Sequence, residues 1–179
     1  MTTIAVLTID VQRGLFETMP PPGDAMGTVE RINRVMAHAR TMGCPVVLVQ
    51  HAGTALAPQS EGWRLLPALQ TTAEDLRVGK TTPDAFQGTD LDALLRQRGI
   101  TELVVTGYAS EFCIDTTVRR AAALGYAVTL VADAHTTHDK PHATAEQIRT
   151  HENATLPAIT SFGPRIRAVP TAGWMASVG

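Results

Sequence analysis

Short, mostly apolar runs separated by longer segments of helical periodicity constrain the fold of this 179-residue chain more than any other feature. The predicted strands cover residues 4–10, 45–51, 75–80, 102–107, 127–133 and a short segment near 158–160. The predicted helices cover residues 25–43, 89–99, 113–124 and 142–156. Strands without polar alternation are typical of strands that helices bury on both faces, so the pattern indicates a parallel sheet.

The alternation of strands and helices predicts an α/β fold of three layers, α/β/α, around a six-stranded, mainly parallel sheet. Right-handed crossovers and a reversal of direction after the third strand give the Rossmann-like order 3-2-1-4-5-6. A chain of 179 residues fits one domain over residues 1–179. The segment 161–179 has no clear periodicity, and we expect it to pack at an edge of the sheet or on a partner subunit.

Composition and charge narrow the functional classes. The net charge is −2 and no block of Lys and Arg occurs, which predicts neither nucleic acid nor membrane as a partner. No apolar stretch approaches the roughly 20 residues that span a bilayer. The N-terminal segment lacks a basic region and a cleavage motif, and Cys44 and Cys113 lie far apart, so we predict a cytoplasmic protein.

Three reactive side chains stand at the predicted carboxyl ends of strands. Asp10 ends the first strand, Lys80 ends the third, and Cys113 follows the fourth through the sequence GYASEFC. Taken singly, each has an ordinary role, as a loop acid, a solvated lysine or a small core residue. Ligands of open parallel sheets bind beyond these strand ends, where the strand order reverses. The coincidence therefore predicts one active-site crevice.

The position of Cys113 suggests a nucleophile. Ser110 is a favoured N-cap residue, which would place Cys113 in the first turn of its helix, where the helix dipole favours a thiolate. We expect Lys80 to lower the pKa of the thiol further. Asp10 would accept the thiol proton and return it to a leaving amine. Cys44, at the start of the second strand, is predicted to be structural.

Aromatic and polar residues near the crevice are candidates for substrate binding, although each alone is more commonly a core residue. The candidates are Gln12, Phe16, His51, Trp63, Phe86, Tyr108 and Phe112. Phe16 and Trp63 lie in irregular segments, where packing in the core is less expected. Gln12 and His51 are polar groups at strand ends, suited to orienting an amide of a small-molecule substrate.

The segment HTTHDKPH, residues 135–142, concentrates three histidines. Its spacing matches no standard zinc pattern, so no metal site is predicted. Because it follows the fifth strand, we expect it to form a helix-entry loop away from the crevice. No glycine-rich nucleotide-binding signature occurs, and no cofactor is predicted.

Three segments, TIDVQRGLF, GKTTPDAFQGTDLDALL and VVTGYASEFCIDTTVRRAAALGYAVTLVADA, resemble the isochorismatase-like cysteine hydrolases, which include nicotinamidases and N-carbamoylsarcosine amidase. The resemblance runs from about Ile4 to Leu156. It implies a catalytic triad of Asp10, Lys80 and Cys113, and a cis peptide bond between Tyr108 and Ala109. It also implies an oxyanion hole formed by the N–H groups of Ala109 and Cys113, a parallel six-stranded sheet, and a homo-oligomer, either dimer or tetramer.

Two departures refine what the resemblance implies. Nicotinamidases bind a metal through an Asp-x-His motif after the second strand, whereas this chain has His51 without that Asp and no further His before His135. Isochorismatase itself cleaves a vinyl ether without a cysteine nucleophile, so Cys113 favours hydrolysis of an acyl or C–N bond. The stretch from HAGT to GWRLLPAL resembles a subgroup similar to streptothricin hydrolase.

These observations predict a cysteine amidohydrolase that acts on a small-molecule amide or cyclic amide. Two alternatives remain open at this point. One is hydrolysis of the isochorismatase type, and the other is a non-catalytic interaction module on the same fold.

Overall fold

The computed structural model describes residues 3–178 and contains six β-strands within that range. They are β1 (Ile4–Ile9), β2 (Val46–His51), β3 (Leu76–Lys80), β4 (Glu102–Tyr108), β5 (Ala127–Thr136) and β6 (Ile166–Val169). All neighbouring pairs are parallel, and the order across the sheet is β3-β2-β1-β4-β5-β6. The predicted fold class and strand order are therefore confirmed.

Helices cover both faces of this sheet. The α-helices are α1 (Arg13–Phe16), α2 (Ala25–Thr41), α3 (Leu91–Gln97), α4 (Asp115–Ala123), α5 (Ala145–Ala158) and α6 (Thr171–Ser177). A π-helical turn, Ser110–Ile114, joins β4 to α4. Among residues 3–178, no helix is both long and apolar enough to cross a lipid bilayer.

The central strands are mostly apolar because each face of the sheet has its own core. In β1, Leu7 and Ile9 belong to the core beneath α3, α4 and α5, whereas Val6 belongs to the core beneath α2 and α6. In α2, the buried residues recur at helical spacing, and they are Thr28, Val29, Ile32, Val35, Met36 and Ala39. Burial on two faces explains why no polar alternation marks these strands.

The last strand lies later in the chain than predicted. Residues 158–160 follow or end α5 and form no strand, and the edge strand is β6 instead. A parallel strand must start at the same end of the sheet as its neighbour, and the crossover helix α5 carries the chain back from the end of β5 to that end. Residues 158–160 end this helix and lead into the turn after it, and Ile166 then pairs with Val128.

The C-terminal segment closes one face of the sheet. The helix α6 follows the edge strand β6, and its Trp174 is fully buried in the same core as Val35 and Met36 of α2. The segment 161–179, for which the sequence shows no periodicity, therefore contributes an edge strand and a core tryptophan; Gly179 lies outside the described residues.

Gly107 allows β1 and β4 to meet where the strand order reverses. It pairs with Ile9, its φ is 124°, and a Cβ at this position would lie 2.0 Å from the carbonyl oxygen of Ile9. No side chain fits without moving one of the two central strands.

We expect Gly107→Ala to lower the free energy of unfolding by about 4 kcal/mol or more.

Gly99→Ala is the matched control for this change. Gly99 also has a positive φ, of 66°, but a Cβ there has no atom within 4 Å. The control should therefore lose only about 1 kcal/mol, the cost of left-handed backbone. Urea unfolding of the two variants measures the difference, and equal losses would contradict the role assigned to the close approach.

Candidate active site

The ends of β1 and β3 bring a carboxylate and an ammonium group together under the surface. Asp10 follows β1 with a left-handed φ of 54°, a conformation that Asp tolerates better than most residues. Lys80 is the last residue of β3, and its Nζ donates to Asp10 Oδ2 at 2.7 Å. The side chains of Asp10 and Lys80 are 1% and 0% exposed, so the two charges face each other with little water.

Lys80 also contacts the thiol. Its Nζ lies 3.3 Å from Cys113 Sγ and 3.1 Å from the carbonyl oxygen of Thr82, and His51 Nδ1 is a further neighbour at 3.3 Å. An ammonium group has three protons to donate. The structure thus brings together the three predicted catalytic residues, with the ammonium in contact with both the carboxylate and the sulfur.

The turn that carries Cys113 differs from the predicted helix start. Ala109 precedes it in extended conformation, and its carbonyl oxygen accepts from the N–H groups of Phe112 and Ile114, both at 3.1 Å. Ser110 lies inside the turn, and its hydroxyl is bonded to His135 instead of a backbone N–H. The prediction of a Ser110 N-cap is wrong, because a buried side chain on β5 takes this hydroxyl.

The peptide bond between Tyr108 and Ala109 is cis. The resemblance implied this bond, and the prediction is confirmed. Ala109 is 2% exposed and Cys113 is half-buried. An oxyanion hole formed by their N–H groups stays a prediction.

Burial changes the acid–base properties of the site. It raises the pKa of the Asp10 carboxyl, and the nearby Lys80 ammonium only partly opposes that change. Burial and the charge of Asp10 together raise the pKa of the Cys113 thiol to about 12. The expectation of a lowered thiol pKa is therefore wrong, because removal of water outweighs the attraction of Lys80.

This arrangement suits activation of a thiol by a base within the site. The thiol is neutral at rest, and the Asp10 carboxylate has a raised pKa and so binds a proton more readily than an exposed Asp. Asp10 Oδ1 is buried and has no hydrogen-bond partner among residues 3–178. In this arrangement Asp10 can accept a proton from the Cys113 thiol, and the site does not need to hold a thiolate permanently.

Gln12 connects the crevice to the segment after β2. Its fully buried amide donates to the carbonyl oxygens of His51 at 3.0 Å and Trp63 at 2.8 Å, and accepts from the His51 N–H at 2.8 Å. These backbone bonds occupy the amide that the sequence suggested for orienting a substrate. Burial lowers the pKa of His51, so its imidazole is neutral beside Lys80.

The predicted aromatic residues divide into separate groups. The rings of Phe16 and Tyr108 pack with centroids 5.8 Å apart, and Phe112 is 53% exposed, with Lys140 Nζ 5.4 Å from its ring. Phe86 is buried and stacks on Tyr126 at 5.9 Å. Tyr126 precedes the amino end of β5, so Phe86 belongs to the core and is not part of the crevice.

The histidine segment lies closer to the candidate nucleophile than the sequence suggested. β5 continues to Thr136, which places His135 opposite Gly107 of β4. His135 is fully buried, and His138 Nδ1 lies 2.7 Å from the hydroxyl of Tyr108. The expectation of a loop away from the crevice is wrong. Within the described residues, no group of three or more His, Cys, Asp or Glu side chains is placed to hold a metal ion.

Comparisons with known proteins agree with this architecture. Residues 4–161 match the isochorismatase domain. The chain is 38% identical over 142 residues to a streptothricin hydrolase of Streptomyces noursei, covering 78% of this chain and 51% of that protein. It is 33% identical over 147 residues to the ureidoacrylate amidohydrolase RutB of Variovorax paradoxus (strain S110), covering 64% and 58%. The chain thus spans about half the length of these curated relatives.

The fold also matches a solved structure. The crystal structure of an isochorismatase family protein superposes with a TM-score of 0.87 and 31% identity, covering 94% of this chain and 99% of that one. The parallel sheet and these similarities define a protein of three-layer α/β/α architecture with the fold of the isochorismatase family. The chain belongs to the isochorismatase family, and its resemblance to isochorismatase-like cysteine hydrolases is confirmed.

The raised pKa of Cys113, about 12, predicts that its thiol reacts slowly with alkylating reagents. We expect iodoacetamide to alkylate Cys113 at about pH 8 at least tenfold more slowly than a cysteine in an unfolded peptide, whose pKa is about 8.5. Asp10→Asn removes one of the two causes that raise this pKa, and the thiolate becomes the counter-ion of Lys80. Alkylation should therefore be faster in Asp10→Asn than in the wild type.

Mass spectrometry of the peptide that contains Cys113 measures both rates. Cys44 provides an internal comparison, because it is 5% exposed and should react slowly in both proteins. A wild-type Cys113 that reacts as fast as the peptide thiol would contradict the raised pKa.

His135 predicts a specific dependence of stability on pH. Burial lowers the pKa of His135 to about 4, whereas the unperturbed pKa is 6.5. Between these values the unfolded chain binds more protons, so the folded state loses stability as the pH falls through this window. We expect His135 to account for a loss of about 3 kcal/mol between about pH 6.5 and about pH 4.

Urea unfolding at about pH 7 and about pH 4.5 tests this expectation. His135→Asn has no titrating group, so its stability should differ less between the two conditions than that of the wild type. The same pH dependence in both proteins would show that His135 does not titrate as inferred.

Proposed function

We propose that this protein is a cysteine-dependent amidohydrolase that cleaves a C–N bond of a small-molecule amide or cyclic amide through a thioester. The observation that carries the proposal is the ammonium of Lys80, which is bonded to Asp10 Oδ2 at 2.7 Å and lies 3.3 Å from Cys113 Sγ. Two curated relatives are a streptothricin hydrolase and a ureidoacrylate amidohydrolase, which supports the choice of reaction.

The first half-reaction forms the acyl-enzyme. Asp10 accepts the thiol proton as Cys113 Sγ bonds to the carbonyl carbon, and the carbonyl oxygen becomes an oxyanion. The C–N bond then breaks, and the proton on Asp10 passes to the leaving nitrogen. The raised pKa of Asp10 suits both transfers, because a group must bind the proton and then release it.

The second half-reaction releases the acid product. Asp10 takes a proton from a water molecule, whose oxygen bonds to the thioester carbon. The S–C bond then breaks, and the thiol regains its proton from Asp10. Lys80 keeps its charge throughout and balances the negative charge as it moves between the carboxylate and the sulfur.

The predicted oxyanion hole completes this scheme. N–H groups of Ala109 and Cys113 would donate to the oxyanion of each tetrahedral intermediate, as the family resemblance implies. The neutral imidazole of His51 lies beside Lys80, and the exposed ring of Phe112 belongs to the turn that carries Cys113. Both stay candidates for contact with the substrate.

A screen for amide hydrolysis tests the proposal. Small primary amides, ureido compounds and cyclic amides are incubated with the protein, and ammonia release or ring opening is followed by enzymatic assay and mass spectrometry. Once a substrate is found, Cys113→Ala and Asp10→Asn should each lower kcat/KM by about 10³-fold or more, because each removes a group that reacts.

Cys44→Ala is the matched control. It removes the other cysteine, at the start of β2, and should leave kcat/KM within about twofold of the wild type. Full activity in Cys113→Ala would refute the mechanism. If that variant still hydrolyses isochorismate, the reaction is vinyl-ether cleavage and not amide hydrolysis.

A further inference from the structure

The end of β5 and the residues after it lie along the turn that carries Cys113. We name residues 135–140 the β5 extension. Four side-chain contacts join it to the chain just before Cys113, and each involves a polar atom on both sides. They are His138 Nδ1 to Tyr108 Oη (2.7 Å), His135 Nδ1 to Ser110 Oγ (2.8 Å), Thr137 Oγ1 to Glu111 Oε1 (2.9 Å) and Lys140 Nζ to Glu111 Oε1 (3.2 Å).

The contact between His135 and Ser110 is the most buried of the four. Both residues are 0% exposed, so neither can exchange its partner for water. On its other side, His135 Nε2 lies 3.0 Å from Asn153 Oδ1, and Asn153 Nδ2 donates to the carbonyl oxygen of Ala132 at 2.8 Å. Loss of one partner in such a buried chain leaves the next group unpaired.

The hydrogen bond from Asn153 to Ala132 determines the direction of the other two bonds in this chain. Because Asn153 uses its NH₂ group for the carbonyl oxygen of Ala132, its Oδ1 must accept from His135 Nε2–H. His135 is neutral, so Nδ1 carries no proton and accepts from the hydroxyl of Ser110. The imidazole is thus held as one tautomer, oriented towards Ser110.

The turn Ser110–Ile114 is held from outside by His135. It is a single π-helical turn, a form that is rare and occurs often at functional sites. Ser110 is its first residue, and its side chain is fixed by His135 three residues before the sulfur that meets Lys80 at 3.3 Å.

We propose that His135 is a positioning residue, which acts through Ser110 to hold the turn so that Cys113 Sγ meets Lys80 and Asp10. The inference rests on the proposed function to the extent that Cys113 is the nucleophile of the reaction. The histidine segment thus has a role in positioning the turn, and it is neither a metal site nor only a loop that leads into a helix.

Three variants separate positioning from stability. Ser110→Ala removes only the hydroxyl, and His135→Leu removes the acceptor and fills a similar volume. His135→Asn is the conservative rescue, because its side-chain oxygen can accept from Ser110 near the place of Nδ1. Ser177→Ala is the control, since the hydroxyl of Ser177 donates within α6 to the carbonyl oxygen of Trp174 and has no other side-chain hydrogen bond among residues 3–178.

The expected kinetic result is a change in kcat without a change in KM. Ser110→Ala and His135→Leu should lower kcat by about 10- to 100-fold and leave KM within about threefold, because misplacement of the nucleophile affects the reaction more than binding. His135→Asn should regain most of the loss, and Ser177→Ala should match the wild type. Variants that melt at lower temperature but keep the wild-type kcat would overturn the proposal.

Two readouts do not depend on a substrate. Nitrogen-15 NMR of the imidazole of His135 should show a proton on Nε2 and none on Nδ1, and the Nδ1 resonance should shift in Ser110→Ala. Alkylation of Cys113 by iodoacetamide should change in rate by about threefold or more in Ser110→Ala, and not in Ser177→Ala.

These readouts distinguish failure of the two proposals. If Cys113→Ala remains active, the proposed function fails, and the NMR and alkylation results alone decide whether His135 positions the turn. A proton on Nδ1, or a rate of alkylation in Ser110→Ala equal to that of the wild type, would overturn the role of His135 even if Cys113 is the nucleophile.

Discussion

The buried ion pair between Asp10 and Lys80 is the interaction on which the rest of the site depends. Each charge loses most of its water, at a cost of several kcal/mol per ion, and contact at 2.7 Å has to offset that loss. Removal of one partner would leave an unpaired buried charge, which typically costs about 3–5 kcal/mol. Replacement of a buried ion pair by well-packed apolar residues is often neutral or stabilising, so stability alone does not explain the pair.

The charges of Asp10 and Lys80 affect the protonation of the Cys113 thiol. Lys80 carries one positive charge. Burial raises the pKa of the Asp10 carboxyl, and burial together with the charge of Asp10 raises the pKa of the Cys113 thiol. The ion pair with Lys80 places the anion of the resting site on Asp10, and the thiol keeps its proton. In the proposed reaction the proton moves from sulfur to carboxylate as the S–C bond forms, and the net charge of the site stays the same.

Much of the fold and the group of three reactive residues could be predicted from the sequence. Runs such as residues 4–10 and 45–51 are mostly apolar and show no polar alternation, a pattern typical of strands that are buried on both faces. The order of a doubly wound sheet then brings the strand ends that carry Asp10, Lys80 and Cys113 to one crevice. Predictions from local sequence patterns were wrong where a residue far away in the chain determines the contact. The hydroxyl of Ser110 bonds His135 instead of capping a helix, and Phe86 stacks on Tyr126 in the core.

The histidine segment shows most clearly what spacing along the chain cannot predict. Leu130 pairs with Val105, and His135 pairs with Gly107. Between these two pairs β5 contains three more residues than β4, so the pairing of the two strands is irregular here. This shift brings His135 beside the turn and places residues 137–140 along Glu111. A regular strand would pair Ala132 with Gly107 and leave the histidines beyond the sheet, which is the arrangement that the sequence suggested. The contact between β5 and the turn therefore depends on the register of two strands, which no local pattern in either strand reveals.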